Sequence, residues 1–317
     1  MKRHQKTIVS WFVIFTMIFV NCFSNIFAVT ADGEGICKNA MNSLTTESSL
    51  QVNGDSLQAN PYEPNSFEFS GNVYLIGDST VCEYPESTVT TLDRQGWGMR
   101  LGDYFNDKVT IHNLALSGRS SRSFVTEAYY TKLLNELSEG DYLFIQFGHN
   151  DQKNDGRETK PGLDLTTLDE EGKNEAGEYS YEWFMIHKYI EPALEKGAVP
   201  VLISPITRRS SSGKANYKDH VPYKEALESL AEAYQVPYID LMSQTVDLYL
   251  EVFAEGGAEA TAALHALKES NGEMIIDNTH LSTKGATLVS GLVAASVKAL
   301  DLQLAEYIQS EEVADTK

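Results

Sequence analysis

Three cysteines, nine prolines and three tryptophans in 317 residues are few. The spacing of Cys22, Cys37 and Cys82 rules out a cysteine-based zinc site and leaves at most one disulfide. Positive charge is also scarce: 25 Lys and Arg face 45 Asp and Glu, for a formal net charge of −20. So acidic a chain repels nucleic acid, and no nucleic-acid partner is expected. Past the N-terminus no apolar run is long enough to cross a bilayer. No internal repeat is present.

What the N-terminus does contain is a leader. Lys2, Arg3 and Lys6 precede an apolar run from Ile8 to Val20, and small residues follow around Ala28 to Ala31. This order predicts a secretory signal peptide over residues 1–31, cleaved after Ala31. The apolar run is short for a membrane span and is broken by Asn21 and Asn25, so an uncleaved anchor fits less well. Asn21 also fits poorly before a lipidated Cys22. The expectation is a secreted protein, extracellular or at the cell surface, with no membrane partner after cleavage. Cys37 and Cys82 remain, and whether they pair is left open. Residues 32–66, rich in Asn, Ser, Thr, Glu and Gly, lack sustained periodicity and read as a polar spacer or loosely attached arm.

From Phe67 to residue 310 short apolar runs alternate with helical patterns. Strands are predicted at Val73–Ile76, Val109–Ala115, Tyr142–Phe147, Val199–Ile203 and Tyr238–Leu241. Helices are predicted at Trp97–Phe105, Tyr130–Leu137, Trp183–Lys196, Tyr223–Tyr234, Gln244–Ala254, Ala258–Glu269 and Lys284–Tyr307. Continuous apolar strands separated by helices indicate a parallel sheet covered on both faces. The fold class is therefore α/β, a three-layer α/β/α sandwich around a five-stranded parallel sheet, as one domain over 67–310. Ligands of such sheets bind outside the carboxyl ends of the strands. The four exits in question read "GDST", "LSGRSSRS", "GHND" and "SPITRR", and "DNTHLS" precedes the last helix.

A serine hydrolase needs a nucleophile, an imidazole, a carboxylate to orient it, and donors for the oxyanion. Ser79 sits where the first strand turns towards a helix. Asp277 and His280 are three apart, a spacing that lets one tight turn bring the carboxylate to the imidazole. Gly118 follows the second strand, where a missing Cβ lets a backbone N–H approach a substrate. Asn150 follows the third and can donate a side-chain amide hydrogen. Alone, each has a plainer reading: a cap or turn at Ser79, a turn with a surface histidine or part of a metal site at Asp277 and His280, a turn at Gly118, a hydrogen-bonded loop around Asn150. Their coincidence at successive exits favours the hydrolase. The chelating residues are too few for a metal-dependent enzyme, and neither a metal nor another cofactor is expected. The chain has no Gly-x-Ser-x-Gly elbow, which argues against an α/β-hydrolase.

These blocks resemble those of the SGNH hydrolases of the GDSL type, over Val73 to Ala299. The resemblance implies a flavodoxin-like sheet, with Ser79 as nucleophile, His280 as general base and then acid, and Asp277 as its partner. It also implies an oxyanion hole made by the N–H groups of Ser79 and Gly118 and the Asn150 side chain. "GRSSRS", "GWG" at Gly96–Gly98, "FGHNDQ", "SPITRRS" and "VPYIDL" are similar to the rhamnogalacturonan acetylesterase branch. That branch implies removal of acetyl groups from the pectin backbone. The alternatives are an SGNH esterase acting on acetylated xylan, on cell-wall glycan or on a short acyl ester or lipid, and a non-catalytic glycan-binding protein, which should lack a triad member. The polar stretch Ala258–Met274 departs from the branch by its length.

Outside the leader the arginines are Arg94, Arg100, Arg119, Arg122, Arg157, Arg208 and Arg209, most of them in or near the strand exits. Arg binds carboxylates through a planar fork that Lys lacks. A basic rim including Arg119, Arg122, Arg208 and Arg209, receiving the uronate groups of an acetylated, anionic polysaccharide or oligosaccharide, is one expectation. Scaffold ion pairs are the other. Trp97, Tyr129 and Tyr130 are candidates for stacking on sugar rings, and the polar Gln152–Ser180 stretch for a substrate-flanking loop.

Overall fold

The computed structural model describes residues 67–152 and 179–309. The predicted signal peptide and spacer (residues 1–66, with Cys37), Arg157 and most of the Gln152–Ser180 stretch lie outside the described residues. Among those described, no helix is long and apolar enough to cross a membrane.

Side chains alternate across a strand, so each apolar strand feeds two cores. On β1 (Asn72–Gly77), Val73 and Leu75 enter one hydrophobic cluster, and Tyr74 and Ile76 enter the other. β3 (Tyr142–Gln146) divides in the same way, with Tyr142 and Phe144 on the first side and Leu143 and Ile145 on the second. The first cluster is closed by Trp97, Leu101 and the helix Thr283–Ala299. The second is closed by Ala128–Glu136, Val221–Tyr234 and a helical run that opens at Tyr181–Phe184, widens to a π-helix at Met185–Ile190 and ends at Glu191–Glu195. The result is the expected three-layer α/β/α sandwich.

With β2 (Thr110–Asn113), β4 (Val199–Ile203) and a short β7 (Tyr238–Ile239), the parallel sheet runs β2-β1-β3-β4-β7. β7 stops early because Asp240 turns to cap the next helix, its carboxylate accepting the Ser243 N–H at 3.1 Å. Chain order reverses at β1, which feeds β2 on one side while β3 pairs on its other side, so a crevice opens between the ends of β1 and β3. A two-residue hairpin of β5 (Arg208–Arg209) and β6 (Ala215–Asn216) follows β4.

Three helix predictions are corrected. The last helix stops at Ala299, and Gln303–Tyr307 is a separate 3₁₀ turn. Trp97–Phe105 forms two 3₁₀ turns, Trp97–Met99 and Leu101–Tyr104. This segment presses onto the turn that carries Ser79: the Trp97 N–H bonds to the Thr80 carbonyl at 2.8 Å, and a Cβ on Gly96 would lie 2.3 Å from the Cys82 carbonyl oxygen. Close backbone approach, rather than helical periodicity, sets its shape. Further on, the helix Leu241–Ala262 breaks at Gly256 and Gly257, and the chain then becomes β8 (His265–Ser270) instead of continuing helical to Glu269. β8 pairs antiparallel with β9 (Glu273–Leu281) around Asn271 and Gly272, both at positive φ, the signature of a tight two-residue hairpin turn. Much of the long polar stretch before Asp277 is this hairpin.

Candidate active site

The turn that carries Ser79, the candidate nucleophile, is built by its neighbour. The buried Asp78 carboxylate accepts the Thr80 N–H at 2.9 Å and the Thr80 hydroxyl at 2.8 Å, an Asx turn at the end of β1. Burial pushes the Asp78 carboxyl up, against bonds from Thr80 and the His149 backbone that pull it down. Ser79, 7% exposed, is left facing the crevice, and its carbonyl accepts the Tyr84 hydroxyl at 2.9 Å. Cys82 beneath it is a buried free thiol.

Asp277 and His280 come from an irregularity in the hairpin. Leu267 pairs with Ile276 and His265 with Leu281, so residues 277–280 bulge out opposite Ala266. The expected tight turn is therefore there, set inside β9. Asp277 Oδ1 stitches it by accepting the N–H groups of Thr279 at 2.9 Å and His280 at 3.2 Å. Asp277 Oδ2 lies 2.7 Å from His280 Nδ1, and His280 Nε2 lies 3.0 Å from Ser79 Oγ. Burial acts to raise the Asp277 carboxyl, but the hydrogen bond and charge of His280 and the two backbone donors outweigh it and hold the group well below the usual carboxylate range. An ionised carboxylate against Nδ1 fixes the tautomer that leaves Nε2 free to accept a proton from Ser79.

The oxyanion candidates lie at the neighbouring exits. Gly118 has φ +76 and open space where a Cβ would be. Among the described residues neither the Ser79 nor the Gly118 N–H meets an acceptor. Asn150 Nδ2 donates to the Arg119 carbonyl at 2.9 Å, which orients the amide. "GRSSRS" caps and staples this corner: Ser120 closes a capping box on Ser121–Phe124, and the Ser121 N–H and hydroxyl both reach Asp151. Among the described residues no group of three His, Cys, Asp or Glu is placed to hold a metal ion.

Several expected sugar contacts are placed elsewhere. Trp97 is fully buried and donates to Gln146 Oε1 at 2.8 Å, while Gln146 Nε2 donates to Thr80 Oγ1. It props the Ser79 turn from inside and cannot stack on a sugar. Arg209 is buried too, bound to Thr261, Asn278 and the Ala258 carbonyl, so it braces the bulge instead of facing a carboxylate ligand. Arg119 pairs with Glu127 at 2.5 Å, and Arg100 with Asp103. Arg208 reaches the His149 carbonyl at 3.3 Å, next to Asn150, and Arg122 stays half-buried on the same corner. Tyr129 is exposed, whereas the Tyr130 hydroxyl bonds to the Lys188 carbonyl.

Sequence reading missed the supports of His280. His265 Nδ1 lies 3.0 Å from the His280 carbonyl oxygen, which can only accept, so Nδ1 carries the proton and Nε2 accepts the Tyr249 hydroxyl. Burial lowers His265 to about 4, partly offset by the bond to the His280 carbonyl. Burial, assisted by Arg208, lowers His220 to about 3, where it packs on His149. Both rings are neutral in the folded state, whereas an unfolded histidine takes up a proton near pH 6.5. Stability from these two sites is therefore complete above pH 6.5 and falls as pH drops towards 4. At pH 5 the loss should be about 2 kcal/mol for each histidine. Urea unfolding at pH 7 and pH 5 measures it, and His265→Gln and His220→Gln should each flatten the difference. An unchanged pH dependence in both variants would contradict the assignment.

The sequence pattern of the GDSL-like lipase/acylhydrolase family matches residues 75–288, which span all four strand exits and the hairpin. Rhamnogalacturonan acetylesterase RhgT of Bacillus subtilis is 35% identical over 246 residues, 76% of this chain and 95% of RhgT. The rhamnogalacturonan acetylesterase of Emericella nidulans is 30% identical over 232 residues, covering 69% of this chain and 81% of its own length. In fold, the chain superimposes on the crystal structure of YxiM from Bacillus subtilis with a TM-score of 0.56 at 24% identity, over 74% of this chain and 58% of YxiM. A match that takes in every block around the crevice, with relatives aligned over most of the chain, places this protein in the GDSL-like lipase/acylhydrolase family.

Proposed function

We propose that this carbohydrate O-acetylesterase is exported and removes acetyl groups from rhamnogalacturonan, with Ser79 as nucleophile, His280 as general base and then acid, and Asp277 as the orienting carboxylate. The observation that carries this reading is the unbroken hydrogen-bond chain from Asp277 through His280 to Ser79 Oγ at the sheet's switch point. Ser79 Oγ attacks the acetyl carbonyl carbon while its proton passes to His280 Nε2. The tetrahedral oxyanion meets the N–H groups of Ser79 and Gly118 and the Asn150 amide. Collapse returns the proton to the sugar oxygen and frees the deacetylated sugar. Water, deprotonated by the same imidazole, then releases acetate and restores Ser79.

The names of the Bacillus and Emericella relatives support rhamnogalacturonan over other acetylated glycans. Its uronate groups suit Arg208, which reaches the His149 carbonyl beside Asn150, and Arg122, which follows Gly118 in the second strand exit. The test is acetate release from acetylated rhamnogalacturonan and acetylated xylan, with long-chain acyl esters alongside. Wild type should favour the first, ignore the long acyl chains, and start at Asp32 when recovered from culture medium. Arg208→Ala should lower kcat/KM on rhamnogalacturonan by about tenfold, the size of a single lost charge-assisted bond, and much less on xylan. Equal losses on both polymers would remove the anionic-substrate reading.

A further inference from the structure

The triad's carboxylate has one more partner than acyl transfer requires. Asp277 Oδ2 accepts from Arg94 Nη2 at 2.9 Å as well as from His280, and the same Arg94 nitrogen donates to the Leu267 carbonyl at 3.3 Å. Leu267 is on β8 and Asp277 on β9, so one guanidinium holds both strands where the bulge separates them. The flanking residues extend the contact. Asp93 Oδ1 accepts the Thr283 N–H at 3.0 Å and its hydroxyl at 2.6 Å. The Gln95 N–H bonds to the Leu281 carbonyl at 3.0 Å, and Gln95 Nε2 donates to the Thr283 hydroxyl at 2.9 Å. Residues 93–95 thus form a clasp between the segment that follows Ser79 and the segment that carries Asp277 and His280. Arg94 also lies 5.9 Å from the Tyr84 ring, whose hydroxyl bonds to the Ser79 carbonyl and whose edge faces His280.

His280 and two backbone donors already hold Asp277 ionised, so what Arg94 contributes is direction. A carboxylate oxygen pinned between two donors cannot swing away from Nδ1, and the imidazole it steers keeps Nε2 on Ser79. We propose that Arg94 is a positioning residue for the triad: through Asp277 it sets the orientation of His280 that lets Ser79 surrender its proton. This deepens the proposed esterase reading and rests on it. Arginine suits the role because one Nη2 carries two hydrogens and the planar fork fixes their directions, whereas the ammonium of lysine rotates freely.

The experiment measures kcat, KM and thermal midpoint with 4-nitrophenyl acetate for wild type, Arg94→Ala, Arg94→Lys and Ser79→Ala, with and without guanidinium ion at millimolar concentration. Arg94→Ala should lose about 10²-fold in kcat, as expected of a misdirected catalytic group, with KM within about twofold, since the acyl contacts are untouched. Guanidinium should recover part of the Arg94→Ala rate and none of the Ser79→Ala rate, and Arg94→Lys should fall in between. Arg94→Lys is read by the same kcat and KM criteria should Arg94→Ala fail to fold. Overturning results are an unchanged kcat in both Arg94 variants, or a loss that follows the thermal midpoint and resists rescue. Activity that survives Ser79→Ala would instead overturn the esterase reading, and this proposal with it.

Discussion

Ser79→Ala is expected to lower kcat by about 10⁵- to 10⁶-fold, and adding His280→Ala to lower it little further. The two side chains act as one unit. Without the hydroxyl there is no acyl-enzyme, and without the imidazole the hydroxyl keeps its proton. The geometry makes the coupling direct, since a single 3.0 Å contact joins them. What survives should be the slow rate contributed by the oxyanion donors and substrate binding, which both variants keep. Acetate release under saturating substrate measures the effect, and additive losses in the double variant would break the triad assignment. Asp277 keeps three of its four donors when the imidazole is removed, so His280→Ala should leave the fold intact and the comparison clean.

Asn150→Ala should cost about 10²- to 10³-fold in kcat, the usual loss for one oxyanion donor, with KM nearly constant. The amide is buried and aimed by the Arg119 carbonyl, so it should meet the reacting oxygen without reorganising. The three proposed donors come from three different strand exits, which is why the sheet, and not a single loop, shapes the hole. Asn150→Asp provides the sharper comparison. It keeps the side-chain volume but sets a negative charge against a forming oxyanion, so it should be at least as damaging as alanine. A variant that raises KM and spares kcat would make Asn150 a ground-state binding residue instead.

The central sheet and the Ser79, Asp277 and His280 arrangement were readable because local signals carry them. Apolar runs such as Tyr142–Phe147 announce buried strands, and the chemistry-bearing residues sit directly at their ends. The β8–β9 hairpin was missed because Ala258–Glu269 contains enough Ala, Leu and Glu to imitate a helix. Asn271-Gly272 was the available signal, since that dipeptide marks a tight hairpin turn. Trp97 misled for a different reason: an aromatic beside two glycines fits a sugar platform or a close-packed core equally well, and only burial separates them. The Arg94–Asp277 contact spans 183 positions and left no trace in the sequence. Side-chain pairs of that kind have no periodicity, so only tertiary structure reveals them.

His280 and Ser79 are 201 positions apart and are carried by different sheets, His280 on β9 and Ser79 on the turn that leaves β1. One core of the parallel sheet is closed by the helix Thr283–Ala299, which follows β9 directly, so the hairpin and that core are joined. A two-stranded hairpin on its own is at best marginally stable in water, so β8–β9 gains its permanence only by docking. Contacts so distant along the chain form late, because a long loop must close before they bring any reward. Return of turnover in a refolding experiment is therefore expected only once the hairpin has docked, however early circular dichroism registers strand and helix.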